Sequence, residues 1–404
     1  MTSTTVARDP HDPAGSTAQF PGVRARGAVQ SVDLRRDPAV LRAGGWWAVV
    51  ADFDGPARAW RFAEVERDPA PGAPGRPTGT RDASAPLPPW SGPRPEAWTT
   101  SMDRAAYTSA VRVTRAAIRE GEVYQANICR VLSAPLPATD AEPDAAALAA
   151  VLAAGNPAPY AGYVHVPAAS GHPQAWVVTA SPELSLSVAD GFVTSGPIKG
   201  TGRTAADLAE KDRAENVMIT DLVRNDLQQV CVPGSVEVLD LLAVEHHPGL
   251  VHLVSRVRGR LLEDDPARLW SGLLAAAHPP GSVSGAPKSS ALRLISALEP
   301  VARGPYCGAV GWIDADAGRA ELAVAIRTFW WTPDSAAGPA ALRFGTGAGI
   351  TWGSDPEEEW EETELKARRL VGLASGSPVP GSGARAGEAR PAHAPAPFRA
   401  RLGS

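Results

Sequence analysis

Lys199 stands in the run Gly196-Pro197-Ile198-Lys199-Gly200-Thr201, downstream of Glu183 in Ser181-Pro182-Glu183. A lysine acts as a nucleophile only where its surroundings leave the amine unprotonated, and a glycine beside it lets backbone approach a ligand. Acids gather at two further places. Helical spacing puts Leu208, Asp212, Glu215, Ile219 and Leu222 on one face, so two carboxylates interrupt an apolar stripe. A buried, unpaired carboxylate is costly, and a cation, a metal or a proton is the usual remedy. The competing reading is a half-buried face on which Lys211 and Arg213 are surface partners. Farther on, Asp355-Pro356 reads as a helix cap followed by proline, and residues 357–364 hold six glutamates. Most of these suit a solvated first turn facing the helix dipole. Glu359, Glu362 and Lys366 share a face, just after Gly345-Thr346-Gly347-Ala348-Gly349, which reads as a turn that could bring amides against an anion. Two helices, each offering a pair of acids, could enclose Mg²⁺ through oxygen ligands and water.

Elements must position these groups. Periodicity predicts helices over Met102 to Arg119, Ala205 to Asp226, Pro266 to Ala277, Pro287 to Leu298 and Pro356 to Val371. Strands are expected at Trp46 to Phe53, Tyr160 to Val166, Trp176 to Ala180, Ala320 to Trp331 and Leu342 to Thr346. Helices and strands interleave irregularly and no GxGxxG or P-loop run occurs, which argues for an α+β assembly over a doubly wound nucleotide fold. Gln125 and Asn127 fall near an expected turn, which they could cap. Lys288 reads as a helix-start residue. The organisation expected is a disordered tail over 1–22, a β-rich portion over 23–98 with a Pro/Gly-rich loop at about 68–95, a catalytic region over 99–373 and a disordered tail over 374–404.

Composition narrows the partners. The 404 residues are 44% hydrophobic, enough for one large domain or two ordinary ones, and the net charge of −5 without a basic run disfavours nucleic acid. Cys129, Cys231 and Cys307 are too scattered for a CxxC site or a disulfide framework, which fits a reducing, cytoplasmic setting. No apolar stretch is long enough to span a membrane.

Taken in order, the segments resemble the chorismate-utilising enzymes: component I of anthranilate and aminodeoxychorismate synthases, and the isochorismate and salicylate synthases. The likeness runs over Gly121-Glu122-Val123-Tyr124-Gln125, Ser181-Pro182-Glu183, Pro197-Ile198-Lys199-Gly200-Thr201 and Lys211-Asp212-Arg213-Ala214-Glu215-Asn216. It continues through Asp221 to Asp226, His252-Leu253-Val254-Ser255, Gly281 to Lys288, Ala325-Ile326-Arg327-Thr328 and Gly347-Ala348-Gly349-Ile350, and ends at Glu362-Thr363 and Lys366. The resemblance implies a fold of two large β-sheets forming a sandwich flanked by helices. Relatives that add water carry a lysine where this chain has Gln125, so Gln125 argues against them. Lys199 is similar to the Pro-Ile-Lys-Gly-Thr lysine of aminodeoxychorismate synthases, where anthranilate synthases typically carry alanine.

From that likeness follow the expected roles. Lys199 would attack C2 of chorismate and Glu183 would protonate the departing C4 hydroxyl, with His252 and Ser282 near the ring. Mg²⁺ would be held by Glu215 and Glu362, with Asp212 and Glu359 in outer positions. Gln125, Thr201, Tyr306, Arg327, Lys366 and the amides of Gly347 and Gly349 would bind substrate. Ammonia would then add at C4, giving 4-amino-4-deoxychorismate for para-aminobenzoate and folate biosynthesis or a related product. No glutaminase signature is present, so the resemblance implies a separate glutamine amidotransferase subunit as the ammonia source. The alternatives are anthranilate synthase component I, which aminates C2 and eliminates pyruvate, and a non-catalytic chorismate-binding or scaffolding subunit. A Leu-Leu-Glu-Ser type segment is missing, which speaks against tryptophan feedback. His278-Pro279-Pro280 and Gly202-Arg203-Thr204 depart from the family's pattern.

Overall fold

Strict alternation shapes the strands. In Trp46–Ala51, Trp46, Ala48 and Val50 enter one core cluster while Trp47, Val49 and Ala51 enter another, so both faces of this strand are covered. The structure is a computed structural model that describes residues 15–68, 90–137, 142–202, 204–208, 210–247, 250–334 and 339–376.

In chain order, β1 (Thr17–Phe20), β2 (Val23–Asp33), β3 (Trp46–Ala51), β4 (Ala57–Arg67) and β5 (Thr99–Thr100) precede α1 (Arg104–Arg119), β6 (Gln125–Ala134) and α2 (Ala145–Gly155). Next come β7 (Tyr160–Val166), β8 (Ala175–Ser181), β9 (Leu184–Ala189), β10 (Phe192–Gly196), β11 (Ile198–Gly202) and α3 (Glu210–Gln228). β12 (Glu237–His247), β13 (Leu250–Arg260), α4 (Pro266–Ala277), β14 (Gly285–Ala286) and α5 (Lys288–Leu298) follow. The chain closes with β15 (Ala309–Asp314), β16 (Arg319–Val324), β17 (Thr328–Thr332), β18 (Ala341–Ile350) and α6 (Pro356–Ala374).

The strands hydrogen-bond into one continuous antiparallel network that folds back on itself. One core fills the space between the β2–β3–β15 and β6–β7–β18 regions, with Trp46, Phe62, Ile128, Val164 and Ile350 inside it. A second lies under α3 and α4, and a third under α2 and α6. This is the expected α+β sandwich flanked by helices, its two layers joined by shared strands. The N-terminal strands belong to the same network, since β3 pairs with β15 and β1 with β7.

Several expectations change. Gly345 to Gly349 is no turn: it lies within β18, paired with β6 from Leu342↔Ala134 to Ile350↔Ala126. Gln125 and Asn127 likewise sit in β6 and cap nothing. The strand expected from Ala320 to Trp331 breaks into β16 and β17 at Arg327, a non-glycine residue with φ 52°. Leu208 lies before α3, preceded by a 3-10 turn over Ala205–Asp207. Lys288 does more than begin a helix, because its ammonium donates to Asp226 Oδ2 at 2.8 Å and to Ala276 O at 3.0 Å. Residues 15–22 of the expected N-terminal tail are described, with 17–20 forming β1, and Ala374 of the expected C-terminal tail ends α6; residues 1–14 and 377–404 and most of the Pro/Gly-rich loop lie outside the described residues. All three cysteines are free and buried, and Cys129 and Cys307, distant in sequence, are hydrogen-bonded to each other. No described helix is long and apolar enough to cross a membrane.

Candidate active site

Glu183 occupies the short link between β8 and β9, and its backbone is fixed on both sides. Its N–H donates to Ser181 Oγ at 3.2 Å, its carbonyl accepts from Val324 N–H at 3.0 Å, and Ser181 Oγ donates to Val324 O at 2.6 Å. The side chain is buried at 4% exposure. Burial pushes its carboxyl up to about 7, against the opposing pull of the Ser282 hydroxyl, the Lys199 charge, the Ile198 N–H and the Arg327 guanidinium. These groups converge on one carboxyl from three segments of chain. Arg327 is itself held below the ordinary arginine range by burial, with Glu183 pulling it back up. Its left-handed backbone, unusual for a side chain of this size, stands in the link between β16 and β17, immediately before Thr328.

Lys199 lies in β11, whose neighbour β13 supplies the buried His252 opposite Thr201. Two glycines make room for it. Gly200 has φ 85°, and a Cβ there would sit 2.8 Å from Asp212 Cβ, so only glycine lets β11 pass this close to α3. A Cβ on Gly349 would lie 2.3 Å from Gln125 Nε2, 3.0 Å from Asn127 Oδ1 and 3.4 Å from Lys199 Nζ. Three polar side chains therefore crowd the face of Gly349 and leave no room for a Cβ there. Gln125 Oε1 and Asn127 Oδ1 are buried without a hydrogen-bond partner among the described residues.

The acids meet where α3 faces α6. Lys211 Nζ stands 3.8 Å from Glu215 and 3.5 Å from Glu359, linking the two helices, and Lys366 Nζ pairs with Glu362 at 2.6 Å and donates to Gly347 O at 3.0 Å. Burial raises Glu215 and Glu359 above the ordinary glutamate range, and neighbouring carboxylates add to it. Burial acts on Glu362 in the same sense, but Lys366, Lys211 and Lys199 together hold it below that range. Lys211 is raised: burial works against its charge and is outweighed by Glu359, Glu215 and Glu362. The carboxylates of Glu215, Glu359 and Glu362 are hard oxygen donors of the kind that suits a divalent cation such as Mg²⁺. Among the described residues no three of them close on one point, and the Lys211 ammonium spans Glu215 and Glu359. The residues fit the ion on donor chemistry, with lysine ammonium groups presently neutralising them.

Most residues expected from sequence are thus gathered. Lys199, Ser282 and Arg327 each act on the Glu183 carboxyl. Gln125 and Gly349 border the lysine, and Glu215, Glu359, Glu362, Lys366 and Gly347 form the adjoining acid cluster. Tyr306 is set apart: it is buried in the core, its ring against Gly345 and its hydroxyl bonded to Cys307, beneath the strand that carries Gly347. Sequence reasoning missed Asn127 and the bridging role of Lys211. Asn127 stands two residues from Gln125, so strand alternation alone puts it on the same face.

The comparisons with known proteins follow this geometry. The family profile for chorismate binding enzymes matches residues 60–372. The chain is 42% identical over 227 residues to a protein named anthranilate synthase component 1 from Saccharolobus solfataricus, covering 53% of this chain and 50% of that one. It is 34% identical over 287 residues to one named aminodeoxychorismate synthase component 1 from Salmonella typhimurium, covering 68% and 59%. The chain spans about half the length of the curated relatives it matches. In fold it resembles a solved structure described as a putative 2,3-dihydroxybenzoate-specific isochorismate synthase from Bacillus anthracis, with TM-score 0.69, 24% identity and coverage of 89% of this chain and 96% of that one.

Proposed function

The chain belongs to the chorismate-binding enzyme family, and on that premise we propose that it is an aminodeoxychorismate synthase component I, aminating chorismate at C4. The observation that carries this reading is Lys199, whose amine lies against Gly349 beside Gln125 and Asn127 and acts on the buried Glu183, which holds a proton close to neutral pH. A carboxyl near 7 is suited to general-acid work. In the proposed sequence the Lys199 amine forms a bond to C2 as both ring double bonds shift. The C4–O bond breaks, and the hydroxyl takes the Glu183 proton and leaves as water. Ammonia then forms the C4–N bond and returns a proton to Glu183, both double bonds shift back, and the lysine nitrogen departs from C2 as the neutral amine. The net change is chorismate plus ammonia to 4-amino-4-deoxychorismate plus water, with the enolpyruvyl group retained.

Arg327 is placed to bind a substrate carboxylate on the Glu183 side, in a charge-assisted pair. Ser282 holds the Glu183 carboxyl in orientation, and His252 stands on β13 where that strand pairs with β11. Glu215 and Glu362, with Asp212 and Glu359, would hold Mg²⁺, which when bound would neutralise a substrate carboxylate. Lys366 supports the same corner through Gly347 O. The glutamine amidotransferase is proposed as a separate partner, in keeping with the component 1 names of relatives. A cytoplasmic folate-type pathway is the setting proposed.

A second reading, anthranilate synthase component I, is favoured by the names most of these relatives carry. Product analysis with chorismate, Mg²⁺ and an ammonium salt separates the two. Aminodeoxychorismate without pyruvate supports the proposal, whereas anthranilate with pyruvate supports the second reading.

A further inference from the structure

We propose that Lys288, through its ion pair with Asp226, is a positioning residue that holds the Ser282 turn against the Glu183 carboxyl. For its effect on turnover the inference rests on the reading of Glu183 as general acid. Ser282 lies in the link between α4 and α5, within a 3-10 turn over Gly281–Val283. Lys288 begins α5, and its ammonium reaches back across the link to Ala276 O in the last turn of α4, at 3.0 Å, and to Asp226 Oδ2 on α3, at 2.8 Å. One side chain thus closes the link at both ends and ties it to α3. The carbonyl end of α4 is a favourable place for that cation. Lysine and aspartate side chains are 19% and 8% exposed, so solvent screens the pair little. Leu222, one helical turn before Asp226, meets the turn itself, since a Cβ on Gly281 would lie 2.4 Å from Leu222 Cδ2. Ser284 Oγ donates to Pro280 O at 2.9 Å, which braces the turn internally so that it shifts as a unit. Packing is incomplete behind it. A cavity of about 20 Å³ adjoins Glu183, Gly281, Ser282, Val223, Asp226 and Ala277. Atoms that face such a space lose contacts on that side, and the ion pair supplies the hold that packing lacks there. Glu183 is faced by Lys199 and the Ile198 N–H from β11, by Arg327 and by Tyr160 at the start of β7, while Ser282 reaches it from the α4–α5 link that Lys288 closes.

The test is a pH titration of the Glu183 carboxyl in the full chain by ¹³C NMR of glutamate-labelled protein, its line identified by loss in Glu183→Gln. The variants are Ser282→Ala, Lys288→Met, Lys288→Arg, Lys288→Met with Ser282→Ala, and Lys288→Met with Asp226→Leu. The last removes both charges together, so no buried charge is left unpaired and the fold is spared. Ser282→Ala takes a hydrogen bond from the carboxylate and should move its midpoint upward from about 7. Lys288→Met and the charge-free pair are expected to move it the same way, and Lys288→Arg to move it less. Lys288→Met should add nothing once Ser282 is alanine, because both act through one hydroxyl. Melting temperature shows whether each variant is folded. A midpoint unmoved in folded Lys288→Met or in the charge-free pair, or shifts that simply add, overturns the proposal. Turnover of chorismate with Mg²⁺ and ammonium is followed in the same variants. There kcat should fall by up to roughly 10² with the KM for chorismate little changed, and its alkaline limb should move with the midpoint. A limb that stays in place while the midpoint moves defeats Glu183 as the acid and leaves the clamp standing. The titration needs no turnover, so it decides the clamp even in a chain that consumes no chorismate.

Discussion

Glu183 sets the pH behaviour of the site. Its carboxyl is raised from 4.5 to about 7 by burial, so between those values the folded chain holds a proton that the unfolded chain releases. Its contribution to stability is therefore fully present below 4.5 and is lost as pH rises through about 7. As general acid it should give kcat an alkaline limb near 7 once rates are expressed against free ammonia. Glu183→Gln should remove that limb and lower kcat by roughly 10² to 10⁴. An unaltered profile in the variant would assign the limb to another group. Glu183 and Lys199 were legible in the sequence through their motifs. Asn127 was not, because an asparagine in a strand resembles any half-buried polar residue until its neighbours are placed around it.

At the scale of elements, two ion pairs hold the walls of the site, and they differ in exposure. Arg303 and Glu299, at 2% and 6% side-chain exposure, form a bidentate pair. Arg303 also donates to Val283 O and Asn127 O, and Glu299 accepts from Cys129 N–H, so the pair ties the end of α5 to β6. Arg303→Met leaves Glu299 without its buried partner and should cost about 3–5 kcal/mol in denaturant unfolding. The Lys211 bridge between α3 and α6 is half exposed and correspondingly weaker. Lys211→Met should lower the melting temperature by a few degrees in chelator and by less in Mg²⁺, since a metal ion would replace the missing charge. An equal loss in both conditions would separate the lysine from the metal. Helices with a clear apolar period, such as α4 and α5, were readable from sequence. The alanine-rich α2 was missed because eleven residues dominated by alanine and leucine show no apolar stripe. The β12–β13 hairpin was missed because its strands mix charged and apolar residues, and cross-strand pairs such as Arg258–Glu237 are decided by register. β18 was misread at its C-terminal half, where three glycines suggested a turn. In the fold they allow Tyr306, Cys129 and Gln125 to pack against the strand.

Across the whole molecule, a sandwich of two joined layers brings β6, β11, α3 and α6 to one place, although their residues are scattered from Gln125 to Lys366. Family motifs made this convergence legible, whereas local propensity says nothing about long-range pairing. The N-terminal strands, expected as a separate portion, close the same core through Trp46 and Phe62. The central claim is that Lys199 becomes covalently attached to the ring during amination. Its most direct test is to quench the full chain during turnover with chorismate, Mg²⁺ and limiting ammonium, then locate any added mass by peptide mapping. A chorismate-derived mass on the peptide containing Lys199, absent in Lys199→Ala and discharged by excess ammonium, is the result predicted. Turnover of chorismate with Lys199 unmodified and anthranilate and pyruvate released would contradict the account.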